Sequence, residues 1–378
     1  MVKSAYDTLI VGAGLAGACA AASLSRHERV LLVDATGPAA GASGVGAGLV
    51  NPLMARRARP PWRAREALSA LERLLEHTVH AAPAHCGRGA PHARGVLRPA
   101  QDEAQAEDFE RAAREHPDLG TWIPAPRDWP QVHAPYGILV VQAGFAVSIP
   151  RLVRAAVDLA RARGADVRFP ATLVSWRAGN ESKPAAQALL EVQLGGVDGT
   201  VHTRRLLLCI GNHLLRPWSS TFLHTRLPRL HLHAVKGQSV RIERPVGLLP
   251  LPALSGHGYI VDEGDTLFVG STYEHTFVDL TPDPNMGDAL MARASRMVPA
   301  LENARIVERL AGCRATVPGT RLPMIGPVPG QSEVWVFAGL GSKGLLLAPL
   351  LADELHHYFR SPEAIPEELR LARWPQNR

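Results

Sequence analysis

Tyr6-Asp7-Thr8-Leu9-Ile10-Val11-Gly12-Ala13-Gly14-Leu15-Ala16-Gly17 is the stretch on which the fold turns. A short apolar run with strand character leads straight into GxGxxG, and an alanine-rich helix follows to about Arg26. The three glycines do different work. Gly12 permits a tight turn, Gly14 lets the backbone approach a pyrophosphate, and Gly17 lets the helix pack closely on the strand. The phosphate then meets free N–H groups and the positive end of the helix dipole. Val30-Leu31-Leu32-Val33 supplies a second buried strand, and Asp34 closes it 22 residues after Gly12, where a carboxylate can bond ribose hydroxyls. Strand, turn, helix, strand and acid in this order predict a Rossmann-type dinucleotide site.

Working outward, Gly37 to Gly48 is a loop of small residues, and Arg63 to His77 carries Leu68, Leu71, Leu74 and Leu75 at the spacing of an amphipathic helix. From Ala81 to Pro135 the chain is rich in Pro, His and Arg, which predicts loops and short elements. A strand over Gly137–Val141, a helix over Ser148–Arg163 and strands at Val167-Arg168-Phe169, Leu189–Leu194 and Val201–Ile210 restore an α/β alternation that ends on Gly211-Asn212. Val235–Ile242, Gly258–Val261 and Thr266–Gly270 follow one another like strands of a more antiparallel sheet, with a helix near Asp288–Met297. Val334–Ala338, a glycine-rich turn and an apolar helix over Leu345–Tyr358 finish the chain. The expected fold is α/β: a Rossmann-type domain formed by residues 1–60, 136–228 and 312–378. It is interleaved with a smaller mixed or antiparallel-sheet domain formed by 61–135 and 229–311.

The bulk properties bound the function. With 378 residues, 46% hydrophobic and 20% charged, the chain reads as an ordinary globular protein with a sizeable core. Its formal charge of +6 favours anionic ligands without deciding the fold. Cys19, Cys86, Cys209 and Cys313 form no CxxC pair and no secretory leader is read, so a disulfide framework and a zinc cage are not expected and a reducing cytoplasm is. No apolar run approaches the roughly 20 residues a bilayer requires, so no membrane partner is expected. His231 and His233 alternate on a strand without a carboxylate at ligand spacing, so no metal is expected.

The choice of dinucleotide rests outside the GxGxxG motif. Gly41-Ala42-Ser43-Gly44 and Gly339-Leu340-Gly341-Ser342-Lys343-Gly344 both present backbone donors that need a partner, and a flavin ring provides one. FAD therefore fits better than NAD.

At these residues the chain resembles the D-amino-acid oxidase (DAO) family of FAD-dependent oxidoreductases, nearly end to end. Ala42-Ser43-Gly44 with Gly48-Leu49-Val50-Asn51-Pro52-Leu53, and Leu340 to Gly344, are similar to the oxidase domain of the bifunctional enzymes that modify tRNA wobble uridine, where arginine is usual at the place of Lys343. Gly258-Tyr259-Ile260-Val261, Val269-Gly270-Ser271-Thr272 and Gly312-Cys313-Arg314 are similar to the glycine oxidases. The resemblance implies that Tyr259 and Arg314 clamp a substrate carboxylate. A planar guanidinium can do this two-pronged, with a phenol completing the bonding. Val317-Pro318-Gly319-Thr320 departs from the family's Thr-Pro-Asp turn, and no methyltransferase domain accompanies the oxidase part, so the substrate stays open.

The resemblance implies hydride transfer from the α-carbon to flavin, leaving an imine that water hydrolyses. Lys343, joined to Arg314 and Tyr259 as a catalytic candidate, would offset negative charge on the reduced ring. Cofactor contacts are expected at Gly12, Gly14, Leu15, Ala16, Gly17, Asp34, Ala42, Ser43, Gly44, Val174, Gly211, Gly339, Gly341, Ser342, Lys343, Gly344 and Leu345. FAD is expected to be held non-covalently, with attachment through Cys313 as the alternative.

The leading expectation is an amino-acid oxidase or dehydrogenase acting on a glycine-like or secondary amine. The alternatives are oxidation of the carboxymethylaminomethyl group of a tRNA wobble uridine, and a non-catalytic flavin-containing RNA-binding protein. Arg56, Arg57, Arg59, Arg63 and Arg65 form the run that would meet RNA phosphates.

Overall fold

The computed structural model describes residues 5–81, 95–124, 129, 131–179, 189–215 and 220–373. It opens with β1 (Tyr6–Val11), α1 (Leu15–Leu24) and β2 (Val30–Val33), as the glycine motif requires. Every residue of α1 is buried. Its alanines let it lie close between two other helices, and a helix apolar on all sides belongs inside. β3 (Ala47–Val50) and α2 (Ala64–Ala81) come next.

Then follow β4 (Val96–Pro99), α3 (Glu103–Glu115), β5 (Thr121–Ile123), β6 (Ile138–Val141) and β7 (Phe145–Ser148). α3 lies in a region the sequence reading gave to loops. Its start is set by Asp102, whose side chain accepts from the Gln105 N–H at 2.8 Å. Only a narrow stripe around Phe109 and Ala112 is buried, so charged residues mask the helical period.

α4 (Ile149–Ala162), β8 (Asp166–Arg168), β9 (Thr172–Ala178), β10 (Leu190–Gly195), β11 (Thr200–Leu208) and the short α5 (Thr221–Arg226) complete the first half. The second contains β12 (His233–Glu243), β13 (Ala253–Gly256), β14 (Gly258–Asp262), β15 (Thr266–Gly270) and α6 (Pro284–Ala294). It closes with β16 (Ile306–Thr316), β17 (Met324–Val328), β18 (Gln331–Ala338) and α7 (Gly344–Arg360).

The first sheet runs β17-β18-β11-β1-β2-β8, parallel from β18 to β8, with β10 and β9 added on β11. Helices α1 and α4 pack together on it, and α7 lies against α1. Leu9, Ile10, Leu31, Leu32, Leu206 and Leu207 are fully buried, as strands covered on both faces must be.

The second sheet runs β16-β12-β15-β14-β13-β4-β6-β5 and is antiparallel except where β4 meets β13. Like the first it has eight strands, so the second unit is not the smaller of the two in strand count. The expected boundaries shift as well. β6, placed by sequence with the nucleotide-binding segments, pairs with β4 and β5, and Ile138 joins the second sheet's core. β16 crosses the expected break at 312 and pairs with β12 along its length. α2, placed with the substrate domain, lays its leucine stripe against α7 and α4. A strand pairs with the neighbour its turn brings nearest, and such pairing does not follow composition.

Candidate cofactor and substrate site

The cradle begins where β1 ends. Gly12 has φ +105, and a side chain there would also meet the Cys209 carbonyl at 2.6 Å. A methyl on Gly17 would overlap the Gly12 carbonyl oxygen, so this glycine sets how closely α1 approaches β1. At the head of α1 the Leu15 N–H donates to Ser43 Oγ at 3.0 Å. Asp34 ties the turn together: one carboxylate oxygen accepts from the Ala13 N–H at 2.8 Å, the other from the Thr36 and Gly37 N–H groups at 2.9 Å each.

Gly12, Leu15, Asp34, Thr36 and Ser43 line one cavity of about 1110 Å3, above the roughly 300–1,000 Å3 of a small-molecule pocket. The turn from Gly339 to Leu345 lines the same cavity, so the N-termini of α1 and α7 both open on it. Two helix ends facing one space suit a ligand with more than one anionic or electron-rich part. Lys343 is the residue before α7, half-buried, and burial together with the Arg321 charge lowers its ammonium pKa. Size, glycine-lined backbone and paired helix ends fit FAD.

The opposite wall is one face of the second sheet. Arg314 on β16 pairs with Val235, and its guanidinium lies over Gly237 of β12; a methyl on Gly237 would fall inside it. The side chain donates to Ser271 Oγ at 2.8 Å and to the Thr272 carbonyl at 3.3 Å, with one face 4.8 Å from the Tyr273 ring centre. Among the described residues no carboxylate forms an ion pair with it. The loop that supplies these partners is anchored from below. Thr272 and Gln238 both donate to Glu274, and Lys236 Nζ donates to the Thr281 carbonyl at 2.7 Å. Tyr259 donates to the Ala47 carbonyl at 3.3 Å. Burial pushes its phenol up to about 12, with the Arg314 charge pulling the other way.

The structure brings Arg314, Tyr259 and Lys343 to this cavity, with Gly12, Gly14, Leu15, Ala16, Asp34, Ala42, Ser43 and Gly211 and the turn residues Gly339, Gly341, Ser342, Gly344 and Leu345. Gly17 and Gly44 stand outside the lining as packing positions, Gly44 against the Ala39 carbonyl. Val174 is not brought in. It sits on β9 at 50% exposure, beyond Thr172 and Leu173, the first two residues of the strand, which line the cavity.

Cys313 is buried, and burial raises its thiol pKa, which disfavours the nucleophilic thiolate. Cys86 lies outside the described residues. Sequence reasoning missed the roles in this wall of Ser239, Tyr273, Arg98 and Gln101. Tyr273 directly follows a motif that had been singled out, whereas nothing in the pattern marked Arg98.

Four of the five arginines of the basic run are paired within the chain. Arg56 meets Asp102 at 2.8 Å, Arg57 meets Asp108 at 3.9 Å, Arg63 meets Glu66 and Glu354 at 2.5 and 2.6 Å, and Arg65 meets Asp118 at 2.7 Å. His233 stacks on His275, with ring nitrogens 3.2 Å apart. Among the described residues no cluster has the makings of a metal site, and no helix is long and apolar enough to cross a membrane.

Residues 7–357 match the DAO family, described as FAD dependent oxidoreductases. The chain is 30% identical, over 98% of its length, to the tRNA 5-methylaminomethyl-2-thiouridine biosynthesis bifunctional protein of Polaromonas naphthalenivorans (strain CJ2), 59% of which the match covers. It therefore spans about three-fifths of that relative. It is 28% identical to the glycine oxidase of Pseudomonas putida, covering 91% of each chain. The fold superposes on the crystal structure of glycine oxidase from Geobacillus kaustophilus with TM-score 0.81 at 23% identity, covering 98% of this chain and 99% of the other.

Proposed function

The chain belongs to the DAO family of FAD-dependent oxidoreductases, and from that premise we propose that it oxidises the carbon–nitrogen bond of a glycine-like or secondary amino acid. The observation that carries this reading is Arg314: a cation held by a hydroxyl, a carbonyl and an aromatic ring, facing the cavity that also holds the dinucleotide cradle. A substrate carboxylate supplies the charge these neutral partners lack.

FAD, when bound, would supply the acceptor for a hydride from the carbon beside the nitrogen. The residues of the chain position that event. Arg314 fixes the carboxylate, and Tyr259, neutral throughout the working pH range because burial raises its pKa, can donate to it by giving up its bond to the Ala47 carbonyl. Lys343 and the N-terminus of α7 set positive potential at the cofactor side. A carboxylate pinned at one end leaves the amine little freedom, which is how orientation lowers the barrier.

Anaerobic addition of glycine, sarcosine and other N-substituted glycines to the yellow holoprotein tests the reading. Bleaching of the flavin by at least one is expected, and a flavin left oxidised by all of them overturns it.

A second reading is favoured by one observation, the similarity to a tRNA-modifying relative over 98% of this chain. The carboxymethylaminomethyl group of a wobble uridine is itself an N-substituted glycine, so the Arg314 clamp would serve it equally. Reduction by modified tRNA but by no free amine would select this reading.

A further inference from the structure

Arg98, on β4, lines the same cavity with 5% of its surface exposed. Its guanidinium donates to the Leu53 carbonyl and, at 2.6 Å, to the Ala55 carbonyl, and lies 4.6 Å from the Phe109 ring centre. Its Nε is buried with no partner. Among the described residues no acidic side chain pairs with it, and both carboxylate oxygens of Asp102 accept from one Arg56 nitrogen, at 2.9 and 2.8 Å. Burial alone holds Arg98 down to about 10. Arginine is seldom this deeply buried without an anion, because two carbonyl dipoles and a ring face return only part of the lost hydration.

Register places this cation relative to Arg314. Leu97 pairs with Leu254, Leu254 with Ile260 and Ile260 with Val269, a row turned into the second sheet's core. The adjacent row, Ser255 with Tyr259, Tyr259 with Gly270 and Gly270 with Ser239, belongs to the opposite face, whose Ser239, Ser255 and Tyr259 line the cavity. Arg98 follows Leu97 by one residue and so shares that cavity face. The Arg314 head lies over β12 and Arg98 stands on β4, four strand spacings away, or roughly 19 Å between backbones. Tyr259, on β14, is midway.

We propose that Arg98, with the neighbouring Gln101 amide, forms a second anion subsite, so that the substrate is an amino acid whose nitrogen carries an extended arm ending in a carboxylate or phosphate. This rests on the reading of Arg314 as the clamp for the α-carboxylate. The two arginines then hold the two ends of the substrate, and the oxidised carbon–nitrogen bond lies between them on the Arg314 side. Glycine fills only one end of such a site and binds weakly.

Two experiments on the FAD-loaded protein test this separately from the reaction. Straight-chain dicarboxylic acids of graded length are titrated against monocarboxylic acids of equal length, with perturbation of the oxidised flavin spectrum as the readout. One length of dicarboxylate is expected to bind roughly 10- to 100-fold more tightly than its monocarboxylate, and Arg98→Gln is expected to remove that advantage while leaving monocarboxylate binding unchanged. Equal affinities at every length, or an advantage that survives in FAD-loaded Arg98→Gln, overturn the subsite. Should Arg98→Gln not fold, the length series on the unaltered protein decides alone.

In the second experiment, N-alkylglycines with neutral, carboxylate and phosphonate ends are compared as reductants of the flavin. Preference for an anionic end supports the subsite, and carboxylate against phosphonate tells which anion it takes. Equal reduction by all arms leaves the proposed oxidation standing and overturns the subsite. Tight dicarboxylate binding with no reduction by any arm leaves the subsite standing and overturns the oxidation.

Discussion

Arg56, Arg57, Arg63 and Arg65 and the pair Arg98 and Arg314 are the same residue type in opposite circumstances. The first four are exposed or half-buried, Arg56 also bordering the cavity, and each reaches a carboxylate of the chain, from Asp102, Asp108, Glu66, Glu354 and Asp118. The other two face the cavity and are held by a hydroxyl, carbonyls and aromatic rings. An arginine that water can hydrate has little need of its acidic partner, whereas a desolvated one has a strong need and here finds none among the described residues. The densest basic stretch of the sequence is therefore mostly one of arginines already paired within the free chain. The charge available to a ligand lies where the chain has withheld a counterion.

The largest effect that follows is at Arg314. Arg314→Ala removes charge-assisted bonds to the substrate carboxylate, with an expected loss of roughly 30- to 1000-fold in kcat/KM, or about 2–4 kcal/mol. Arg314→Lys should recover little, since a point charge does not reproduce the fork. FAD content and melting temperature should stay near those of the parent, because the partners of Arg314 belong to the loop after β15 and not to the cradle. Loss of FAD from either variant would place Arg314 among the structural arginines and dissolve the contrast.

Gly237→Ala tests the same site without touching its charge. The added methyl would fall inside the guanidinium, so Arg314 must swing off Ser271 and Tyr273. A loss of roughly 10- to 100-fold in kcat/KM with FAD content unchanged is expected. Normal kinetics in a folded Gly237→Ala protein would show that the position of this guanidinium is immaterial.

Lys343 gives a smaller effect with a defined sign. Its pKa is lowered, first by burial and then by Arg321, so it loses its proton at a lower pH than an ordinary lysine. The protonated form favours an anionic cofactor at the head of α7. Affinity for FAD should therefore be full at neutral pH and fall as pH rises through that lowered pKa, by roughly fivefold. Titration of the apoprotein with FAD across alkaline pH measures this, and Lys343→Met should flatten the profile. A profile that falls equally in Lys343→Met would assign the proton elsewhere.

How much of this was readable beforehand differs between the two sheets. The first was written in local signals: a glycine turn whose positions have separate steric reasons, and strands covered on both faces that read as unbroken apolar runs. The wall bearing Arg314 was readable only through resemblance, because its geometry is made by pairing β12, β14, β15 and β16. Val174 failed because sequence does not tell how far along an edge strand the cavity reaches: Thr172 and Leu173, at the start of β9, line it and the next residue does not. Arg98 was invisible, since nothing in Gly95-Val96-Leu97-Arg98-Pro99 tells that a guanidinium will be enclosed by Leu53, Ala55 and Phe109. Burial without a counterion is a property of tertiary contacts alone.

The smallest expected effect is at the surface run, and it sharpens the contrast from the other side. Arg57→Gln with Arg65→Gln removes two cations that are 65% and 54% exposed and take no part in the cavity lining. Exposed pairs of this kind are weak and are screened further by salt, so melting should barely move and flavin reduction by the best small amine should stay within about twofold. Asp108 keeps a second arginine in Arg111, so even the local charge balance survives the change. Modified tRNA is the informative substrate here. If it reduces the flavin, and the double variant slows that reduction about tenfold while small amines are untouched, then Arg57 and Arg65 exchange Asp108 and Asp118 for phosphates on binding. The pairing in the free protein would then be a resting state, and the division between surface and cavity arginines would not mark function. Equal rates for tRNA in parent and variant would leave the ligand-binding charge to the cations that line the cavity, Arg314 and Arg98 among them.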